Sequence, residues 1–310
     1  AGGDILSSIE KLIGSIFNDL FTGTAGRQIL FGGDGNDILD GLGANDRLLG
    51  DMGADQLFGR AGRDRLEGGG GADILNGGGN NDILLGGNHN DTLIGGAGAD
   101  VLNGGNGRDT ASYVDATSGV SAALDGSIVG TGDALGDTFI SIEILEGSRH
   151  NDTLIGDTGG NTLRGMRGDD NLSGGGGADT LEGSAGNDRI TGGLGADILS
   201  GGIGNDTFVY DALNQAGDVI TDFSSTGAGN NDRFEFLGTA FGNLAAGGLL
   251  ASQFQNNGTS AAANADVRFV YNVNTHQLFF DSDGNGGNAA VLLATLQPGA
   301  TMNLADFLIV

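Results

Sequence analysis

From Gly14 to Ser112, and again from Gly147 to Val209, one apolar residue recurs every nine positions against a background of Gly, Asn and Asp. Residues 32–40 read GGDGNDILD, 68–76 GGGGADILN, 95–103 GGAGADVLN and 201–209 GGIGNDTFV. The first array holds eleven nonads without insertion and the second holds seven. Position 1 is Gly in all eighteen, position 6 is Asp in sixteen, and position 8 is Leu in fourteen, with Phe21, Ala111, Ile190 and Phe208 filling the rest. A lone apolar residue every nine matches neither a 3.6-residue helical stripe nor sustained strand alternation. It fits a very short strand, an xLx triplet whose Leu points inward while its neighbours face out. The six residues GGxGxD then form the turn, because Gly enters the left-handed region at little steric cost. Strand, turn, strand, turn winds a two-sided coil with one rung per two nonads. The pattern predicts an all-β chain, with such a coil in each of two arrays. Leu39 and Leu57 should stack on one sheet, and Leu48 and Leu66 on the facing one.

Outside the arrays the pattern changes. Between them, Tyr113–Glu146 carries β-branched and apolar residues that predict strands continuing the roll, with a loop bulging near 125–136. The end of this spacer matches the beginning of the chain at an offset of 133 residues: Asp4 with Asp137, Ser8 with Ser141, Ile9 with Ile142, Glu10 with Glu143, and Gln28 with Asn161. Residues 1–13 therefore read as the tail of another spacer, and the chain, starting at Ala1, as the C-terminal piece of something longer. After Val209 aromatics appear, with 10 of the 15 Phe at or beyond Phe208. A solenoid needs a cap over its last rung, and 210–310 reads as a β-rich one. DVITDF (218–223), NDRFEF (231–236), VRFVYNV (267–273) and HQLFFDS (276–282) are its expected strands, and 240–265 an expected short helix and loop. The expected divisions are thus 1–13, 14–112, 113–146, 147–209 and 210–310.

Composition narrows the class. The 310 residues include 64 Gly but a single Pro, Pro298, and no Cys or Trp. Collagen and proline-rich linkers both need Pro. Without Cys there is no disulfide framework, thiolate zinc site or thiol nucleophile. The 40 Asp+Glu against 13 Lys+Arg leave a formal charge of −27, which repels phosphates, so nucleic acid and anionic membranes are excluded as natural partners. No apolar run reaches the ~20 residues of a transmembrane segment, and no signal peptide is visible. The partner such a chain wants is a cation.

The Asp column says where the cation goes. Nonads two apart stack their turns, so Asp19, Asp37, Asp55, Asp73, Asp91 and Asp109 form one ladder of carboxylates, and Asp46, Asp64, Asp82 and Asp100 the other. The second array repeats this with Asp152, Asp170, Asp188 and Asp206, and with Asp179 and Asp197. Rungs ~4.8 Å apart would set uncompensated carboxylates against one another in a partly dehydrated turn. A hard divalent ion removes the repulsion, and Ca²⁺ suits it, taking 6–8 oxygen ligands in flexible geometry. Mg²⁺ wants a tighter octahedron and Zn²⁺ wants N or S ligands. An Asp that merely solvated a turn would have no reason to hold one fixed column.

These nonads resemble the hemolysin-type, or RTX, calcium-binding repeat GGxGxDxUx, one of the β-helix repeat signatures. The resemblance implies that the two arrays form a parallel β-roll, an RTX solenoid, with Ca²⁺ between same-side turns held by the sixteen position-6 Asp and backbone carbonyls, and export by a bacterial type I secretion system. Gln28 and Asn161 depart from it by losing a charge, and Phe17, Asn80, His89 and His150 by replacing the position-4 Gly; ions should bind weakly or not at all at those turns. Pairing each nonad with the next but one gives at most nine ions in the first array and five in the second, about fourteen in all. DVITDF followed by NDRFEF resembles the segment after the repeats in serralysin-type metalloproteases and alginate epimerase modules. QLFFDSDGNGGNAAVLLATL and the terminal NLADFLIV resemble the end of such exported proteins, which implies an uncleaved secretion signal. DSDGNG (281–286) opens like an EF-hand loop, but Leu292 stands where its bidentate Glu belongs, so a hairpin turn is expected there.

No catalytic constellation appears. There is no H-E-x-x-H or G-x-S-x-G, and His89, His150 and His276 are far apart in sequence. The expectation is a non-enzymatic calcium-binding structural module of a secreted or cell-surface bacterial protein. Its partners would be calcium ions, the type I secretion machinery, and a cell surface or further copies of itself. The alternative is the accessory C-terminal half of a secreted metalloprotease, lipase or polysaccharide-modifying enzyme.

Overall fold

The computed structural model describes residues 10–225 and 230–310. The correspondences at Asp4, Ser8 and Ile9, and most of the expected 1–13 spacer tail, lie outside the described residues. Contacts divide the chain into two units, Ala1–Ser148 and Arg149–Val310. Each is a parallel β-solenoid, and each is taken in turn.

In the first unit the strands alternate between two sheets. One stacks Lys11–Ile13, Ile29–Asp34, Arg47–Met52, Arg65–Gly70, Ile83–Asn88 and Val101–Asn106, with Thr138–Ile140 from the spacer beside the last of them. The other stacks Leu20–Thr24, Ile38–Leu42, Gln56–Ala61, Ile74–Gly79, Thr92–Ala97 and Thr110–Ser112, then Ile144–Glu146. The register is one rung per eighteen residues: Leu39 pairs with Leu57, and Leu48 with Leu66, as the nonad frame requires. Leu39, Leu48, Leu57, Leu66, Leu75, Leu84, Leu93 and Leu102 are all wholly buried. Two single-file columns of leucine therefore make the core of this array, and Tyr113, Val120, Ile142 and Leu145 are buried in the spacer that follows.

The strands are longer than the expected xLx triplets. Most run six residues, from position 7 through position 3, so that Arg60 pairs with Gly78 and Ala61 with Gly79. The first glycines bend the strand without ending its pairing, because position 2 takes φ values that only glycine adopts freely, such as +113° at Gly69 and +117° at Gly87. The true turn is thus only the three residues up to the Asp.

The second unit begins with the same winding. One sheet runs through Thr153–Ile155, Asn171–Gly176, Arg189–Leu194 and Thr207–Tyr210, and the other through Thr162–Arg167, Thr180–Ala185 and Ile198–Ile203. Arg233–Phe236 and Phe307–Ile309 add two further parallel rungs to the first sheet, and Asp218–Ile220 and Val291–Leu296 extend the second. The direction then reverses: Gln277–Phe280 pairs antiparallel with both Val291–Leu296 and Phe269–Asn272, and Phe254–Asn257 closes the edge. The hairpin around 281–290 is the turn expected from DSDGNG. No helix forms in 240–265; positive φ at Gly242 and Gly247 breaks the segment, and its one regular element is the strand Phe254–Asn257. Leucine columns give way here to aromatics: Phe234 packs on Phe208, Phe223, Phe236 and Phe307, and Phe269 on Phe236, Phe280 and Phe307. Large rings fill a wider interior once the two-strand rung opens out.

Candidate metal centre on the stacked aspartates

Every rung turns at a position-6 residue, and these residues are tied into chains by one repeated bond. In the first unit the Asp37 N–H donates to Asp55 Oδ1 (2.7 Å), Asp55 to Asp73 (2.8 Å), Asp73 to Asp91 (2.8 Å) and Asp91 to Asp109 (2.8 Å). The opposite edge repeats it through Asp46, Asp64, Asp82 and Asp100. The second unit does so through Asp152, Asp170, Asp188 and Asp206, and through Asn161, Asp179 and Asp197. One carboxylate oxygen of each Asp therefore satisfies a turn N–H of the rung before it.

The second oxygen is the anomaly. Among the described residues, Oδ2 is buried without a hydrogen-bond partner in Asp37, Asp46, Asp55, Asp64, Asp73, Asp82, Asp91, Asp100, Asp109, Asp170, Asp179, Asp188, Asp197 and Asp206. A buried carboxylate oxygen left bare costs several kcal/mol, and fourteen of them cannot be an accident of packing. Two position-6 Asp differ. Asp19, half-buried on the first rung, turns Oδ2 to the Ser15 N–H (2.6 Å) and hydroxyl (3.0 Å), and Asp152 is buried with its own interactions. Gln28 and Asn161, which lack the charge, close on their own turns: Gln28 Oε1 accepts from the Thr24 N–H (2.9 Å) and Asn161 Oδ1 from the Asp157 N–H (2.8 Å).

The bare oxygens face a cradle. A Cβ on Gly77 would lie 2.5 Å from Asp82 Oδ2 and 2.8 Å from the Gly95 carbonyl oxygen of the next rung, and one on Gly59 would meet Asp64 Oδ2 at 2.5 Å and the Gly77 carbonyl at 2.7 Å. Position 1 is Gly because a carboxylate and a backbone carbonyl converge there. Burial, with the carboxylates of neighbouring rungs adding to it, pushes the Asp82, Asp91, Asp100, Asp170 and Asp188 carboxyls up to about 7, and Asp46, Asp55 and Asp179 up to about 6. These groups want a proton or a cation.

Among the described residues no three His, Cys, Asp or Glu side chains gather into a metal cluster. An ion on these edges would take most of its ligands from backbone carbonyls, with one or two carboxylates. That all-oxygen set suits a hard cation and offers nothing to Zn²⁺. The turns bearing His89 and Asn80 keep the geometry, since both residues hold φ +77° in place of Gly, Ala44 holds +69° at the same position, and Asp91 and Asp82 beside them are bare like the rest.

The model of the RTX calcium-binding nonapeptide repeat matches residues 13–48, 49–84, 85–111, 146–181 and 173–208, together more than half of the chain. The chain belongs to the RTX family. Its repeats are calcium-binding, and its fold is the RTX β-roll. The solution structure of the AlgE6R3 subunit from the Azotobacter vinelandii mannuronan C5-epimerase is similar at 25% identity, over 51% of this chain and 78% of that one, with a TM-score of 0.29. No curated protein matches the chain. No described helix of this RTX chain is long and apolar enough to cross a membrane.

Two features of these RTX edges escaped the sequence. Both ladders outlast the nonads: the Asp100 N–H donates to Asp137 Oδ1 (2.8 Å), Asp109 to Glu143 Oε2 (2.9 Å), Asp197 to Asp218 Oδ1 (3.0 Å) and Asp206 to Asp232 Oδ1 (3.0 Å). Each of these acids opens a D/E-x-U triplet (DTF, EIL, DVI, DRF), the surviving trace of positions 6–8. A second ladder runs the opposite way at position 5, where the Asn36 N–H donates to Asn18 Oδ1 (3.0 Å), Asn187 to Asp169 Oδ1 (2.7 Å) and Asn205 to Asn187 Oδ1 (3.0 Å).

Proposed function

We propose that the chain is a calcium-folded structural module of an exported bacterial protein, secreted unfolded through a type I system and assembled outside the cell around about fourteen Ca²⁺. The observation that carries this reading is the set of fourteen bare, buried Oδ2 atoms, which equals the nine and five places counted from the repeat frame. The sixteen position-6 Asp are the assigned carboxylates, with Asp19 and Asp152 at the starts of their ladders and Gln28 and Asn161 supplying no charge. Cytosolic free Ca²⁺ of ~1 µM leaves the edges largely repulsive, whereas ~1 mM outside adds up to ~4 kcal/mol per site for a Kd near the lower value. A few such sites exceed the ~5–15 kcal/mol that holds a typical domain together. The chain thereby stays threadable in one compartment and folds in the next. The role read here is structural: the Asp are committed to turns, and the ion neutralises and crosslinks rungs.

Limited proteolysis of the full chain tests this. Protection at ~1 mM Ca²⁺ with rapid digestion at ~1 µM is the expected result; equal digestion rates would overturn the compartment switch.

A further inference from the structure

Position 1 of the repeat is where a side chain would meet the bare carboxylate oxygen. The Asp Oδ2 of the same nonad crowds the Cβ place of Gly41, Gly50, Gly59, Gly77, Gly86 and Gly95. Counting one residue past each array, the next position 1 is Tyr113 in the first unit and Tyr210 in the second. The position-6 places of those two rungs, displaced by insertions, fall on Asp137 and Asp218: their strands pair in register (Val101 with Thr138, Ile198 with Val219), and their Oδ1 atoms take the ladder bond described above. Their Oδ2 atoms are not bare. The Tyr113 hydroxyl donates to Asp137 Oδ2 at 2.7 Å and the Tyr210 hydroxyl to Asp218 Oδ2 at 2.8 Å. Both tyrosines are buried, at 3% and 1% exposure.

We propose that Tyr113 and Tyr210 are the end-stops of the calcium ladders, each phenol donating to the carboxylate oxygen that a cation takes elsewhere, so that the last rung closes without an ion. The inference rests on the reading of the position-6 carboxylates as calcium ligands. Its physical basis is twofold. A neutral O–H satisfies the buried oxygen, and the ring fills the cradle that glycine leaves open. The stops fall where the nonad frame ends, at the head of the segments YVDAT and YDALN. Without one, half-buried Asp137 and buried Asp218 would each keep a carboxylate oxygen bare, as the ladder Asp of the preceding rungs do. The same problem on the opposite edge of the second unit is solved differently, by the Ser224 N–H on Asp232 Oδ2 (2.8 Å).

Calcium counting by equilibrium dialysis on the full chain tests the stops. Tyr113→Gly and Tyr210→Gly restore the position-1 residue of the array and should each raise the number of bound ions by about one. Tyr113→Phe and Tyr210→Phe keep the ring, so the ion count should hold while the melting temperature in saturating Ca²⁺ falls by about 3 °C or more. Unchanged ion counts in folded Gly variants would overturn the proposal. So would Phe variants that melt with the wild type, which decides the matter should the Gly variants not fold. A wild-type chain that binds no calcium would instead sink the ligand assignment on which the proposal stands.

Discussion

At the scale of the residue, fourteen of the ladder Asp divide their carboxylates between two tasks. Oδ1 ties rung to rung, and Oδ2 is held bare beside a glycine and a carbonyl. The division separates two substitutions that look alike. Asp82→Asn keeps an acceptor for the Asp64 N–H but replaces the ion-facing oxygen with an amide. The chain should then fold in excess calcium with at least one ion fewer by equilibrium dialysis. Gly77→Ala keeps every charge and fills the cradle with a methyl 2.5 Å from Asp82 Oδ2 and 2.8 Å from backbone. It should cost about 1–3 kcal/mol in calcium as well as the ion, read from denaturant melts. Were Gly77→Ala silent in both, the convergence of oxygens at position 1 would have no bearing on binding.

Protonation is the other way to satisfy Oδ2, and its sign can be worked out. Burial raises the folded-state carboxyls of Asp82, Asp100, Asp170 and Asp188 from 3.8 to about 7. A group raised on folding contributes stability below its unfolded value that is lost as pH rises through its folded value. Metal-free chain should therefore gain strand content by circular dichroism as pH falls from about 8 to about 5, while calcium affinity weakens over the same range. Strand content that falls on acidification without metal would contradict the burial of these groups.

At the scale of the element, the nonad made most of the winding legible and its interruptions hid the rest. Gly, Asp and Leu in fixed columns specify an eighteen-residue register, and Leu39 on Leu57 follows from the frame alone. Strand length did not follow, because Gly reads as a turn residue, yet the position-2 glycines pair within the sheet. Asp137, Glu143, Asp218 and Asp232 were hidden because insertions displace them from the nine-residue count, leaving only the D/E-x-U triplet. The position-5 ladder was hidden because Asn, Asp, Ala, Arg and Gly share that column, and the bond needs only the Oδ1 of the residue eighteen before. Asn187→Ala deletes an acceptor for the Asn205 N–H and should cost about 1 kcal/mol with the ion count unchanged. Loss of an ion in that variant would place position 5 in the metal site after all.

At the scale of the whole molecule, composition and chemistry converge on neutralisation. The formal charge is −27, and fourteen divalent ions carry twenty-eight positive charges, so the loaded chain would be close to neutral. Its migration on native gels should slow sharply in millimolar calcium. The core supports the same view, since the first unit buries chiefly a leucine per nonad against the entropy of so many glycines. Such a core is too thin to hold the chain against its own charge.

Calcium on the two Asp edges is proposed to fold the roll. Far-ultraviolet circular dichroism of the full chain at neutral pH, titrated from excess chelator to millimolar Ca²⁺, tests it most directly. The spectrum should be largely disordered in chelator, with a cooperative rise of strand signal as calcium is added. The same strand spectrum at both ends of the titration would contradict it.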